Sequence, residues 1–350
     1  MDFEGCLMRS IRCPTLAELP PPQPGKTGWP WTEGSAQLSD RMLDGREWPT
    51  ICLVTPSYNQ GRFIEETIRS VLLQGYPNLQ YAVVDGGSAD ASIDVIKKYS
   101  PWLAYWVSET DRGQTDAINK GLAKVSGDWA NWINSDDRLN PSALGAVGRL
   151  AALANSRIQA LVFACNIVDE AGIRILETWR PRKPESAASF LGAQPVQVTP
   201  QPSTFIRKPD LVLDDRYHYV MDWTLYLRLA DAYGDCFLEG SECIASFRMQ
   251  SASKTTCDSD KFAIEAMDFV RGYHFSDLCI RGQAVRWLAM MQSQLEITRW
   301  QLTRSSVVTD LFRLLLSRPK VLTKRFFWGA LRRKLLSRTS APTEELPPIN

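Results

Sequence analysis

Three short apolar runs in this sequence each end abruptly in polar residues. Ile51–Thr55 leads into Pro-Ser-Tyr-Asn, Leu79–Val84 leads into Asp85, and Trp129–Ile133 leads into Asn134-Ser135-Asp136-Asp137. Continuous runs of this kind are typical of strands buried on both faces of a parallel sheet. Because the carboxyl ends of parallel strands meet at one edge of the sheet, the polar residues would line a single crevice.

Apolar residues between these runs recur at helical spacing, beginning with Ile64, Ile68 and Leu72. The whole pattern predicts helices at 64–72, 91–99, 114–123, 142–154 and from about Asp222, with further strands at Ala104–Val107, Ala160–Ile167 and Ile173–Thr178. Strands that alternate with helices imply right-handed crossovers. We therefore expect an α/β fold with a Rossmann-like, mostly parallel sheet flanked by helices.

Composition divides the 350 residues into three regions. Residues 1–48 contain Pro20-Pro21-Pro22 and predict an irregular extension, with its tryptophans docked on the domain surface. Residues 49–256 form the predicted central domain, in two halves at 49–140 and 141–256. Residues 257–350 are predicted to be helical and to end in a basic tail.

The formal net charge of +1 conceals an uneven distribution. Residues 299–338 hold eleven Lys or Arg and one acid, Asp310, so this segment carries +10 and the remainder about −9. This balance argues against a general nucleic-acid binder. An apolar stripe runs from Val321 to Leu335 within the basic segment. The stripe fits a helix lying on an anionic membrane, and it equally fits a helix packed on the protein itself.

From the cysteines, the N-terminal segment and the distribution of apolar residues we expect a cytoplasmic protein. The eight cysteines include no C-x-x-C pair and no metal-ligand spacing, so we expect reduced thiols. The segment Met1–Glu4 is acidic and no apolar core follows it, so we expect no signal peptide. No run of eighteen apolar residues predicts a transmembrane helix.

The acidic cluster after the third apolar run suits a hard divalent cation, because such cations take carboxylate oxygens. Asp136 and Asp137 are the candidate ligands, although the same residues also suit a polar turn before Pro141. Asp85 at a buried strand end is costly unless it is paired or faces the crevice. The Gly86-Gly87 pair lacks the G-x-G-x-x-G spacing, which argues against a dinucleotide cofactor.

Six motifs in order carry a resemblance to a known family. They are Val-Thr-Pro-Ser-Tyr-Asn at 54–59, Asp-Gly-Gly-Ser-x-Asp at 85–90, Asp-Arg-Gly-Gln-x-x-Ala-Ile-Asn-Lys-Gly at 111–121, Asn-Ser-Asp-Asp at 134–137, Met-Asp-Trp at 221–223, and Phe-Arg at 247–248 with Ser-Lys-Thr at 253–255. Between about Pro49 and Thr256 the chain resembles a family 2 glycosyltransferase, the inverting type with the GT-A fold. The half at 49–140 would then bind the nucleotide and the half at 141–256 the acceptor.

The resemblance implies a role for each candidate site residue. The nucleotide would be contacted by Thr55, Pro56, Asp85, Arg112 and Asp136, and the diphosphate by Arg248 and Lys254. The metal would be held by Asp136 and Asp137, although Asp137 could instead lie behind Asp136 or contact the sugar. The general base would be Asp222. For Arg112 the alternative is a surface salt bridge with Asp111 or Glu109. For Asp222 the alternative is a structural role, as a carboxylate that is favoured at a helix N-terminus. His218 is the weaker candidate for the general base.

Three positions depart from the pattern of the family. Asn134 replaces the first acid of the Asp-x-Asp signature, and Gly86 stands where a second acid often follows Asp85. Gln250 stands where relatives often have a histidine. The first departure removes one negative charge from the acidic cluster.

The function implied is transfer of a sugar from a nucleotide-diphosphate sugar to a saccharide or lipid-linked saccharide. Mn²⁺ or Mg²⁺ would be the cofactor. The enzyme would act in surface polysaccharide biosynthesis at the inner face of the cell membrane. A nucleotidyltransferase shares the sheet and the acidic site, but it needs a basic, Gly-rich loop after the first strand. A catalytically inactive sugar-nucleotide-binding module is the other alternative.

Overall fold

The computed structural model describes residues 11–176, 178–192, 198–250 and 259–302. The predicted diphosphate residue Lys254 and most of the basic segment 299–338 lie outside these ranges. Within them the strands form one eight-stranded sheet with the order β3-β2-β1-β4-β7-β6-β8-β5. The fold is the predicted α/β arrangement of a central sheet flanked by helices.

The first half of the sheet is parallel, as the apolar runs predicted. It comprises β1 (Ile51–Ser57), α1 (Ile64–Leu72), β2 (Leu79–Asp85), α2 (Ser92–Tyr99), β3 (Tyr105–Ser108), α3 (Gln114–Leu122) and β4 (Trp129–Trp132). β1 pairs in parallel with β2 and with β4, and β2 pairs in parallel with β3. Every residue of β1 and β2 is buried, because helices cover both faces of these strands.

The second half of the sheet is mixed, and the sequence predicted less of it. It comprises β5 (Arg138–Leu139), α4 (Ala143–Ala151), β6 (Ala160–Val168), β7 (Thr204–Arg207), α5 (Met221–Tyr233) and β8 (Phe237–Arg248). β7 is antiparallel to β4 and β6, while β6 and β8 are parallel. The predicted strand Ile173–Thr178 was wrong, since among the described residues of this segment only Arg174 makes a bridge, to Val168.

Two helices after the central domain complete the core on one face of the sheet. They are α6 (Ser259–Gly272) and α7 (Leu278–Leu302). The rings of Trp223 in α5 and Trp287 in α7 stack with centroids 5.8 Å apart. Within the described residues, no helix has the length and apolarity needed to cross a membrane.

The N-terminal extension packs against α1 on the opposite face through one buried arginine. Arg69 is fully buried and donates hydrogen bonds to the carbonyl oxygens of Pro20, Pro30 and Trp31 at 2.8 to 3.0 Å. Because a buried guanidinium needs such partners, the extension and α1 stabilise each other. This contact places Trp31 on the domain, as predicted.

Candidate active site

A cavity of about 730 Å³ opens at the carboxyl ends of the parallel strands, a volume that suits a nucleotide sugar. Its floor is formed by Pro56 and Ser57 of β1, Gly86 after β2, Asp111 after β3 and the segment 134–136 after β4. Asp222 from the first turn of α5 contributes a further wall. The crevice predicted from the three apolar runs is therefore present.

The cavity is acidic. Its charged lining residues are Asp111, Asp136 and Asp222, and no Lys or Arg lines it within the described part of the chain. A diphosphate would meet only like charge here unless a cation accompanied it. The residues therefore favour a cation-assisted site for an anionic ligand.

Asp136 is the carboxylate best placed to hold a divalent cation. Its Oδ2 accepts a hydrogen bond of 2.6 Å from Nε2 of Gln250, and the two side chains line the cavity together. Burial raises the pKa of Asp136, while the Gln250 hydrogen bond lowers it. A cation would relieve this cost by stabilising the ionised form. Amide oxygens of Asn134 and Gln250 could supplement the carboxylate, since hard cations accept such ligands.

The described residues bring together no group of three or more His, Cys, Asp or Glu that could hold a metal ion. Asp137, predicted as a second ligand, does not line the cavity. Its side chain is buried, and its Oδ1 accepts a 2.8 Å hydrogen bond from the backbone N–H of Arg248. Burial, and then the charge of Asp136, raise the pKa of Asp137 well above its usual range. The prediction of Asp137 as a metal ligand is corrected accordingly. One protein carboxylate completed by substrate phosphates is a common arrangement for Mg²⁺.

Asp222 has the environment of a candidate general base. It lines the cavity at the start of α5, and its Oδ1 accepts a 2.8 Å hydrogen bond from the N–H of Trp223. Burial raises the pKa of Asp222 to about 6, and this hydrogen bond opposes the shift. A carboxylate with that pKa is ionised at neutral pH and basic enough to accept a proton. His218, the weaker alternative, does not line the cavity.

Aromatic side chains surround the carboxylates. Trp132, Trp179, Tyr219, Phe247, Phe262 and Tyr58 line the cavity. Phe262 comes from α6 and packs edge-on against Tyr219, with centroids 5.3 Å apart. Sequence reasoning missed Trp179 and Phe262 as site residues. Each lies outside the parallel strands, and the local pattern does not show that the chain returns to this edge.

The family model described as glycosyl transferase family 2 matches residues 52–228, which is half of the chain. This match covers β1 to the middle of α5, and thus the segments that supply Asp111, Asp136 and Asp222. The chain belongs to glycosyl transferase family 2. The resemblance given by the six motifs is thereby confirmed.

Curated members of the family match over a shorter stretch. An uncharacterized glycosyltransferase of Mycobacterium tuberculosis is 38% identical over 93 residues, which is 26% of this chain and 36% of that protein. A putative teichuronic acid biosynthesis glycosyltransferase of Bacillus subtilis, TuaG, is 32% identical over 93 residues, which is 26% of this chain and 37% of that protein. The alignments thus span little more than a third of these relatives.

Solved glycosyltransferase structures share the fold. S. aureus TarS 1-349 in complex with UDP-GlcNAc superimposes with a TM-score of 0.55 at 14% identity, over 73% of this chain and 76% of that one. The mannosyltransferase PcManGT from Pyrobaculum calidifontis, in complex with GDP-Man and Mn²⁺, gives a TM-score of 0.52 at 15% identity. That match covers 90% of this chain and 91% of that one. These similarities confirm the GT-A fold.

Two residues implied by the family to contact the nucleotide are buried beneath the cavity instead. Thr55 is buried, and its hydroxyl shares a 2.8 Å hydrogen bond with Tyr81. The carboxylate of Asp85 is also buried, and it accepts hydrogen bonds from the backbone and hydroxyl of Ser88 and from the hydroxyl of Ser108. Both side chains support the floor of the cavity rather than face it. Pro56 does line the cavity, and its contact with the nucleotide stays a prediction.

Arg248 does not face the cavity, so its predicted diphosphate contact is corrected. The side chain is only 2% exposed, and its Nη2 forms a 2.8 Å ion pair with Glu66. Its Nε donates to the carbonyl of Asp136 at 2.7 Å, and its Nη1 donates to the carbonyl of Glu170 at 2.7 Å. Arg248 therefore fixes the backbone on which Asp136 stands.

Arg112 lies outside the cavity as well. Its side chain is 75% exposed and forms ion pairs with Asp116 at 2.9 Å and Asp215 at 3.2 Å. The guanidinium lowers the pKa of Asp116. The surface salt bridge considered from the sequence is thus the arrangement found, although with different partners, and the predicted nucleotide contact is corrected.

Proposed function

We propose that this chain is an inverting glycosyltransferase that transfers a sugar from a nucleoside diphosphate sugar to a hydroxyl of a saccharide. One observation carries the proposal. Asp136 and Asp222 present carboxylates to the same 730 Å³ cavity, at a strand end and a helix start respectively. The first suits a cation beside the diphosphate, and the second suits a base beside the acceptor.

Dependence on a divalent cation follows from charge. The described lining residues offer a diphosphate three carboxylates and no basic side chain. When bound, Mn²⁺ or Mg²⁺ would neutralise the departing diphosphate. Asp136 would hold the ion through its carboxylate, and Gln250 would orient that carboxylate by its hydrogen bond.

The chemical step assigned to Asp222 is removal of a proton from the acceptor hydroxyl. The acceptor oxygen attacks the anomeric carbon from the face opposite the diphosphate, and the bond between that carbon and the diphosphate oxygen breaks. The proton passes to Asp222, and the bonding electrons leave with the diphosphate. A single displacement of this kind inverts the anomeric configuration.

The aromatic walls support a saccharide as the acceptor. The aromatic residues Trp179, Tyr219, Phe247 and Phe262 line the cavity that holds Asp222. Sugar rings present flat C–H faces that pack on such rings. The similarity to TuaG, named for teichuronic acid biosynthesis, supports an acceptor in a surface polysaccharide or its lipid-linked precursor.

The test is the configuration of the released sugar. The full chain is incubated with Mn²⁺ and α-linked donors (UDP-glucose, UDP-N-acetylglucosamine and GDP-mannose), with water as the acceptor. Proton NMR at early times then identifies the anomer. We expect the β-anomer first, and a rate lowered on the order of 10²- to 10⁴-fold in Asp222→Asn. The control His218→Gln should retain its rate, whereas α-anomer released first would contradict the mechanism.

A further inference from the structure

A carboxylate occupies the space above Gly86 at the floor of the cavity. A Cβ placed on Gly86 would lie 2.7 Å from Oδ2 of Asp111 and 3.2 Å from its Cγ. Both residues line the cavity. A larger residue at position 86 would therefore displace the Asp111 carboxylate. The absence of a side chain at Gly86 provides the space that this carboxylate occupies.

The orientation of the Asp111 carboxylate is fixed by the turn that follows it. Its Oδ1 accepts a 2.8 Å hydrogen bond from the backbone N–H of Gly113. Gly113 has a φ of +115°, a conformation that favours glycine, so this turn requires glycine at position 113. With Oδ1 committed to Gly113, Oδ2 is the oxygen available to a ligand.

The strand order places Asp111 at the far end of the cavity from the metal residue. Asp136 follows β4 and Asp111 follows β3, and the order β3-β2-β1-β4 puts β1 and β2 between them. A nucleotide whose diphosphate lies beside Asp136 would extend its nucleoside across Ser57 and Gly86. The base would then meet Asp111.

We propose that Oδ2 of Asp111 selects the nucleotide base, and that it selects a base with an N–H at the centre of its pairing edge. Uracil, thymine and guanine have such a ring N–H, which donates to a carboxylate. Cytosine and adenine present a ring nitrogen lone pair there, which a carboxylate repels. This inference rests on the proposed function, because it takes the ligand to be a nucleoside diphosphate.

The expected difference in affinity between the nucleotides follows from the strength of one hydrogen bond to a charged group. Such a hydrogen bond corresponds to about a tenfold to hundredfold difference in affinity. Calorimetry with Mn²⁺ compares UDP, GDP, CDP and ADP on the full chain. We expect UDP or GDP to bind at least about tenfold more tightly than CDP and ADP. Asp111→Asn should remove most of this difference, since its amide can donate to the lone pair of cytosine.

A paired variant tests the location of the carboxylate. In Gly86→Asp with Asp111→Gly, the acid moves across the 2.7 Å contact to the neighbouring position. We expect this double variant to regain base preference that Asp111→Gly alone lacks. Glu109→Gln is the control, because that carboxylate pairs with Lys120 at 2.9 Å and does not line the cavity.

The outcomes separate this inference from the proposed function. Equal affinity for all four nucleotides in the unmodified chain would overturn the role of Asp111 and leave the proposed function standing. The same holds if Asp111→Asn keeps the original ranking. If none of the four binds in the presence of Mn²⁺, the proposed function fails and the inference fails with it.

Discussion

At the scale of single residues, the direction of a side chain decided which sequence predictions held. Asp136 and Asp137 are neighbours in the turn between β4 and β5, but their carboxylates have different surroundings, since Asp137 is buried and accepts a hydrogen bond from the N–H of Arg248. Only Asp136 reaches the cavity. Asp85 likewise does not face the cavity, because an acid at a strand end can accept hydrogen bonds from the turn that follows the strand. The sequence could place these acids at the sheet edge, but it could not show which way each one points.

Asp222 provides a prediction in pH. Its folded-state pKa of about 6 lies above the ordinary value of 3.8, so the protonated form is favoured until the pH rises through about 6. A base must be ionised, and kcat/KM for donor hydrolysis should therefore rise between about pH 5 and 7. A rate that is flat across this interval would remove Asp222 from the role.

The same shift affects stability with a definite sign. The neutral acid is favoured on folding, so this contribution is fully present below the unfolded pKa and is lost as the pH rises through about 6. Asp222→Asn, which stays neutral, should therefore gain about 3 kcal/mol relative to the unmodified chain at pH 8, because each unit of pKa shift corresponds to about 1.4 kcal/mol. Little gain is expected at pH 4. Denaturant unfolding at the two pH values measures the difference.

At the scale of elements, the local sequence pattern predicted β1 to β4. It did not predict β7 and β8, because these strands depend on pairing with segments that are distant in the sequence. β8 (Phe237–Arg248) has an exposed polar stretch, so its sequence does not form an apolar run. Gly240 lies within it because a Cβ there would come 2.1 Å from the ring of Phe163 in β6. That requirement depends on a partner more than seventy positions earlier in the sequence. Only the assembled sheet explains it.

Arg248 at the end of β8 gives a prediction about this part of the sheet. Arg248→Gln would leave Glu66 with one fewer cation and free the carbonyls of Asp136 and Glu170. Breaking a buried pair costs about 3 to 5 kcal/mol. The control Arg112→Gln, which breaks exposed pairs, should cost less than about 1 kcal/mol. Denaturant unfolding distinguishes the two, and an Arg248→Gln variant of full stability with lost nucleotide affinity would restore the diphosphate role.

At the scale of the whole molecule, charge is separated along the chain. The basic segment 299–338 carries +10, whereas the described cavity presents only acids to its ligand. Attraction of about 1 kcal/mol per basic residue near an anionic surface is enough to recruit a protein. We propose that this segment brings the enzyme to a membrane that carries the acceptor.

Vesicle flotation tests the membrane proposal. A chain that ends at residue 298 keeps Trp287, Met291 and Leu295, which pack in the core, and should fold. We expect the full chain to float with vesicles rich in anionic lipid, and to float less as the salt concentration rises. The shortened chain should remain at the bottom of the gradient. Equal flotation of both chains, or of neither, would show that the segment does not recruit the membrane.

The central claim is that Asp136 holds a divalent cation that allows a diphosphate to enter an acidic cavity. Calorimetry of UDP and GDP binding tests it most directly, with Mn²⁺ and with a chelator, for the unmodified chain and for Asp136→Ala. Asp222→Asn serves as the matched control, since it removes a cavity acid that does not contact the diphosphate. We predict binding in Mn²⁺ by the unmodified chain and the control, and a loss of at least about 100-fold with chelator or in Asp136→Ala. Equal affinity with and without the cation would contradict the account.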